Sequence, residues 1–224
     1  GLLATTFMHS GFGQQQEWKG KIGKSTKESI PYKIEYLKKA PEGAPNIIWI
    51  LLDDVGYGAI SGYGGLINTP NFDALAADGI KYTNFHTAGI CSPTRSDLLT
   101  GRNHHAVGMG MFPHFVIRGD YPGYHGVIQP ENGTIAEVLK ENGYGTYQVG
   151  KWHLTPDEEA TELGPFDRWP SGKGFDHNLG FLGGATDQWK PALVEDNQFV
   201  KPNGDHLNNI ITDKAISYIT KQKE

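Results

Sequence analysis

Cys91 is the single cysteine of a 224-residue chain and stands in Cys91-Ser92-Pro93-Thr94-Arg95, directly before the helix-like run Ser96-Asp97-Leu98-Leu99-Thr100. A lone thiol cannot close an internal disulfide, and an unpaired cysteine is commonly a small buried hydrophobe. A second reading is a phosphatase-type thiolate, cradled by backbone amides and an arginine. Only three residues separate Cys91 from Arg95, too few for the wide anion-wrapping loop of such enzymes. The next chemically loaded pair is Asp53-Asp54. Adjacent carboxylates repel each other and lose hydration when partly buried, so they are costly without a cation. A solvated turn is the alternative, given Gly56 and Gly58 just beyond. All-oxygen coordination favours a hard cation, calcium first and magnesium second. A third candidate is Gly150-Lys151-Trp152-His153, although a Lys-x-His pair taken alone usually marks surface groups.

Cys91-x-Pro93-x-Arg95 followed by Leu99-Thr100-Gly101-Arg102 resembles the signature of the sulfatase family. The resemblance implies that Cys91 is oxidised after synthesis to Cα-formylglycine. The aldehyde is hydrated to a geminal diol, of which one hydroxyl attacks sulfur and the other later expels sulfate. Asp53-Asp54-x-Gly56 resembles the start of the sulfatase domain, which implies that Asp53, Asp54 and the modified Cys91 bind the metal. Those three cannot fill a calcium shell. Gly150-Lys151-Trp152-His153 resembles the second sulfatase signature. Arg95 would then steady the formylglycine, Lys151 would bind a sulfate oxygen, and His153 would hydrogen-bond the diol or the leaving group. Pro165-Phe166-Asp167-Arg168-Trp169-Pro170, with Thr186-Asp187-Gln188-Trp189, resembles the arylsulfatase-like bacterial branch. Asp97 stands where relatives commonly carry a small residue and reads as an exposed helix position. His104 and His105 read as loop-packing residues.

The elements that must position these groups alternate along the chain. Asn46-Ile47-Ile48-Trp49-Ile50-Leu51-Leu52 predicts a parallel strand buried on both faces, with Asp53-Asp54 at its carboxyl end, where open α/β sheets place their sites. Thr69-Pro70 opens a short helix and Gly79 closes it, after which Ile80 to Phe85 reads as a strand leading to Cys91. A helix beginning near Pro93 would turn its amino terminus and Arg95 toward Cys91. Thr134-Ile135-Ala136-Glu137 is a capping box for a helix ending at Gly143, and it explains the Asn132-Gly133-Thr134 sequon. Tyr144 to Val149 reads as another buried strand, and Asn209 to Lys221 as a final helix with Ile211, Ala215, Ile216 and Ile219 near helical spacing.

This order predicts an α/β protein with a mostly parallel central sheet flanked by helices. The resemblance specifies an alkaline-phosphatase-like fold, incomplete in this chain. Residues 1–45 are expected to form an extension and linker, and 46–224 the amino-terminal part of a sulfatase catalytic domain. The later histidine, lysine and second acidic pair of the family are not found, so a fragment of a longer enzyme is expected. Gly1 to Met8 suggests the tail of a signal peptide, hence a periplasmic or secreted protein. No segment is long enough to span a bilayer. A net charge of −5 without a basic cluster argues against nucleic acid or anionic membrane as main partner. The expected activity is hydrolysis of sulfate esters on a small molecule or glycan, with a formylglycine-generating maturation enzyme as partner. The rivals are a phosphonate or phosphate monoester hydrolase and an inactive fragment that only binds sulfated ligands.

Overall fold

The structure, a computed structural model, describes residues 21–25, 27–29, 39–115 and 121–221. The chain separates into two compact units, 1–38 and 39–224. In the first, Ser29 Oγ donates to the Ser25 carbonyl at 2.9 Å and closes a small turn. The suggested signal-peptide tail lies outside the described residues.

In the second unit, helix boundaries follow local chemistry closely. Helix α1 covers Pro70–Asp78 with proline in its first turn, where a missing N–H costs nothing, and Gly79 follows its last residue. Helix α2 covers Cys91–Thr100, so it begins two residues ahead of Pro93 and has the cysteine itself as its first residue. Gly101 ends it at φ 65°, a left-handed conformation that suits a residue without Cβ. Helix α3 covers Ile135–Glu141, and its capping box is formed: Thr134 Oγ1 accepts from Glu137 N while Glu137 Oε2 accepts from Thr134 N. The Thr134 hydroxyl also donates to the Lys173 carbonyl at 2.7 Å, so the sequon threonine is consumed by structure. Helix α4 covers Leu207–Lys221. It buries Leu207 and Tyr218, whereas the expected stripe residues Ile216 and Ile219 are exposed.

The sheet has four strands in the order β1-β2-β3-β4: β1 Tyr147–Lys151, β2 His177–Phe181, β3 Leu193–Glu195 and β4 Gln198–Val200. Strands β1 and β2 pair in parallel from Tyr147↔His177 to Lys151↔Phe181, and the other two pairings are antiparallel. One parallel and two antiparallel pairings make this four-stranded sheet mixed, within the expected α/β architecture of a sheet flanked by helices. The hairpin turns through Asp196 at φ 52° and Asn197, residue types that tolerate this conformation. Gly150 and Gly180 face each other across β1 and β2, and a Cβ on Gly180 would stand 1.8 Å from the Gly150 carbonyl oxygen. Only a glycine permits that approach.

Two predicted strands do not form among the described residues. Residues 46–52 pair with no other strand, and Ile48 and Ile50 are 63% and 66% exposed. A strand of this kind needs a hydrogen-bonded neighbour and a cover on each face, and the described residues supply neither. Residues 80–85 likewise have no ladder. Side chains hold them instead: Tyr63 Oη donates to the Tyr82 carbonyl at 2.9 Å and Lys81 Nζ to the Gly62 carbonyl at 2.7 Å.

The core lies where β1, β2 and β3 meet the loops that follow them, and joins Val107, Met109, Ile128, Trp152, Leu154, Trp169, Leu182 and Val194. Trp152 and Trp169 bury their rings without orphaning their N–H groups, which donate to the carbonyls of Arg168 and Glu159, each at 2.9 Å. At the entrance to β1, Asp176 accepts from both Thr146 N and Thr146 Oγ1 and pairs with Lys140 at 2.8 Å. Partial burial pushes the Asp176 carboxyl up, but Lys140 and the Thr146 bonds outweigh it and hold it below its ordinary value. A carboxylate lowered on folding stabilises above its unfolded pKa, and that stabilisation is lost as pH falls through the folded value. Thermal melts of the parent and D176N should therefore differ most at neutral pH and converge only as pH falls through the lowered folded value, below the ordinary aspartate pKa of about 3.9.

Candidate functional site

Two side chains fasten the first turn of α2 to the carboxyl end of β1. The fully buried Ser92 hydroxyl donates to the His153 carbonyl at 2.7 Å, and Arg95 Nη1 donates to the Lys151 carbonyl at 2.7 Å. Inside the turn, Ser96 Oγ donates to the Pro93 carbonyl and Thr94 Oγ1 to that of Ile90, at 2.8 and 2.9 Å. Sequence positions 91–95 and 151–153 thereby meet. Cys91 Sγ lies 3.1 Å from His153 Nδ1.

His153 sits in the left-handed region at φ 56°, an uncommon conformation for a side chain of this size. Its imidazole is buried, and burial is the largest cause that pushes its pKa down to about 4. The charges of Lys151, His114 and Arg95 act in the same direction, against a smaller opposite effect of Asp53. A neutral imidazole results at physiological pH, with one ring nitrogen able to take a proton from a group at position 91. The ring can approach this closely because residue 184 is glycine: a Cβ there would lie 2.6 Å from His153 Cε1 and 2.8 Å from Nε2.

Asp53 joins the two basic candidates. One carboxylate oxygen accepts from Arg95 Nη2 at 3.0 Å and the other from Lys151 Nζ at 2.8 Å. Partial burial pushes the Asp53 carboxyl up, yet Lys151 and Arg95 together hold it below its ordinary value. Arg95 thus points to Asp53 and the Lys151 carbonyl, and makes no hydrogen bond to Cys91, contrary to the expected geometry. Two aspartates have the donor chemistry for a hard cation. Asp53, however, is engaged on both oxygens, and no group of three acidic, histidine or cysteine side chains that could hold a metal gathers among the described residues. Asp53, Asp54 and Cys91 alone do not make a cation site. Asp54 adopts φ 58° at the turn after the apolar run.

The remaining sequence candidates divide. Asp97 is a partner: both of its oxygens lie within 3.1 Å of His104 Nδ1. His105 packs against His104 with the rings tilted by 42° and reaches Tyr124 Oη at 3.1 Å, which makes both histidines loop-packing residues. Asp187 caps its own turn by accepting from Trp189 N and Lys190 N, and Trp189 meets His206 edge to face. Residues that sequence reasoning did not select are Ser92, Gly184, Phe112 and His114. Ser92 sits inside the cysteine motif, and Gly184 inside Gly183-Gly184 before the segment noted for its likeness to arylsulfatases. For Phe112 and His114 the sequence carries no signal.

In this α/β protein a cysteine at a helix start, an imidazole in contact with it and two cations sharing one carboxylate thus gather at one place. The sulfatase family profile matches residues 45–224, and the chain belongs to the sulfatase family. It is 37% identical over 194 residues to an uncharacterized sulfatase of Schizosaccharomyces pombe, covering 82% of this chain and 33% of that protein. It is 36% identical over 154 residues to an arylsulfatase of Klebsiella aerogenes, covering 69% of this chain and 32% of the relative. The chain therefore spans about a third of the length of these curated relatives. Among solved structures it is similar to BT4656 in complex with its substrate D-glucosamine-2-N,6-O-disulfate, with TM-score 0.58, 32% identity and coverage of 79% of this chain and 31% of that one. It is also similar to Ps i-CgsB, with TM-score 0.62, 27% identity and coverage of 76% and 40%. Among the described residues, no helix is long and apolar enough to cross a membrane.

The Ser92 bond carries a prediction. Removing the hydroxyl leaves the buried His153 carbonyl without that donor, so S92A should destabilise the protein by about 1–3 kcal/mol, measured by urea unfolding.

Proposed function

We propose that the protein hydrolyses sulfate esters through a formylglycine made from Cys91. The observation that carries this reading is the contact of Cys91 Sγ with His153 Nδ1 at 3.1 Å, beside Arg95 and Lys151 held on Asp53. Once converted and hydrated, residue 91 supplies two hydroxyls on one carbon, one to attack sulfur and one to expel sulfate afterwards.

Neutral His153 takes the proton from the oxygen at position 91. Lys151 and Arg95 offset the charge on the sulfate oxygens, and Asp53 fixes where those cations stand before an anion arrives. Ser92 and the α2 turn keep the nucleophile carbon in register with the base. Asp53, Asp54 and the modified residue 91 are proposed as the part of a divalent-cation site that these residues provide, calcium first and magnesium second. The other ligands would come from outside the described residues.

The substrate class in this reading is a sulfated small molecule or glycan, and the maturation partner is a formylglycine-generating enzyme. A periplasmic or secreted location accompanies it, since sulfatases are often exported. Residues 46–224 form the amino-terminal part of the catalytic domain in this account.

Mass spectrometry of the Cys91 peptide tests the nucleophile. Replacing the thiol-bearing carbon by an aldehyde lowers the mass by about 18 Da, a change outside the usual thiol oxidation ladder. We expect that loss in protein from a maturation-competent host. An intact thiol there would defeat the mechanism.

A further inference from the structure

The backbone of His153 is hydrogen-bonded on both sides, but its imidazole is not: the ring's one hydrogen-bond contact is with the Cys91 sulfur, a weak partner, while the buried Nε2 has none. With one weak bond on one edge, the ring's orientation must come from packing.

That packing comes from the loop after the buried Met109. The Phe112 and His114 rings are parallel within 2° at 5.3 Å between centroids. The His153 ring lies near-parallel to both, 5.1 Å and 23° from Phe112 and 5.6 Å and 21° from His114. The backbone at Gly184 closes the Cε1–Nε2 edge. The imidazole is thus boxed on a face and an edge, leaving Nδ1 turned to Cys91. We propose that Phe112 and His114 are positioning residues, whose stacked rings hold the His153 imidazole with Nδ1 aimed at residue 91. His114 is solvent-exposed, so burial of its own ring does not explain its place in the stack.

This role rests on the sulfatase reading only for its catalytic consequence. In the full-length protein, H114A is expected to lower kcat on an aryl sulfate about tenfold at unchanged KM, since small misplacements of a base are costly. H114F keeps an aromatic ring in the stack and should stay within about twofold of the parent. An H114A kcat within about twofold of the parent, an H114F as slow as H114A, or a rise in KM alone would each overturn the proposal. A crystal structure of H114A in the unconverted thiol form decides the same point without turnover. We expect His153 Nδ1 to leave hydrogen-bond reach of Cys91 Sγ. Retention of the 3.1 Å contact in that variant contradicts the role, whether or not the parent hydrolyses sulfate esters.

Discussion

The site depends on the fastening of the first turn of α2 to the end of β1. Ser92 reaches the His153 carbonyl and Arg95 the Lys151 carbonyl, so the last residue of the strand and the second residue after it are gripped from one helical turn. The arrangement leaves the side chains of Lys151 and His153 on the site while their backbone oxygens serve as anchors. Close approach on the other side is supplied by glycines: Gly180 lets β2 lie against Gly150, and Gly184 lets the following loop reach the imidazole edge. Helix, strand and loop therefore converge on His153 through contacts of which several tolerate no added atom.

Charge is organised on this frame by Asp53. A lysine and an arginine with nearly buried side chains would repel each other, and the shared carboxylate offsets that repulsion while fixing both heads. The same carboxylate is only partly buried, so it can respond to an arriving cation or anion. His153 meanwhile remains neutral because burial and the neighbouring cations disfavour its protonated form. In the proposed mechanism, proton acceptance and anion attraction fall to different side chains, a division that suits general-base chemistry on an anionic ester.

What could be read in the sequence was what local chemistry dictates. The capping box at Thr134 and the proline start and glycine stop of α1 each depend on a few adjacent residues, and each formed. Residues 91–95 and 151–153 were legible through their resemblance to the two sulfatase signatures, and the structure brings them together. Strands are different, because a strand exists by pairing. The apolar run 46–52 states a need for burial on two faces, but among the described residues no neighbour meets it. Conversely, β3 and β4 are three residues each, too short for a periodicity to show, and are defined by each other through the Asp196 turn. The stack of Phe112 and His114 on His153 was illegible for the same reason: contact across some forty residues leaves no mark in local pattern.

The central claim is that residue 91, set against His153 and the Asp53-linked cations, acts on sulfate esters. The most direct measurement compares turnover of an aryl sulfate with that of the matching aryl phosphonate by the full-length, matured protein and by its C91A variant. The account predicts that the sulfate is the faster substrate and that C91A loses this activity by about a thousandfold or more, the usual scale for deleting a nucleophile. Faster turnover of the phosphonate, or sulfate hydrolysis that survives C91A, would contradict it.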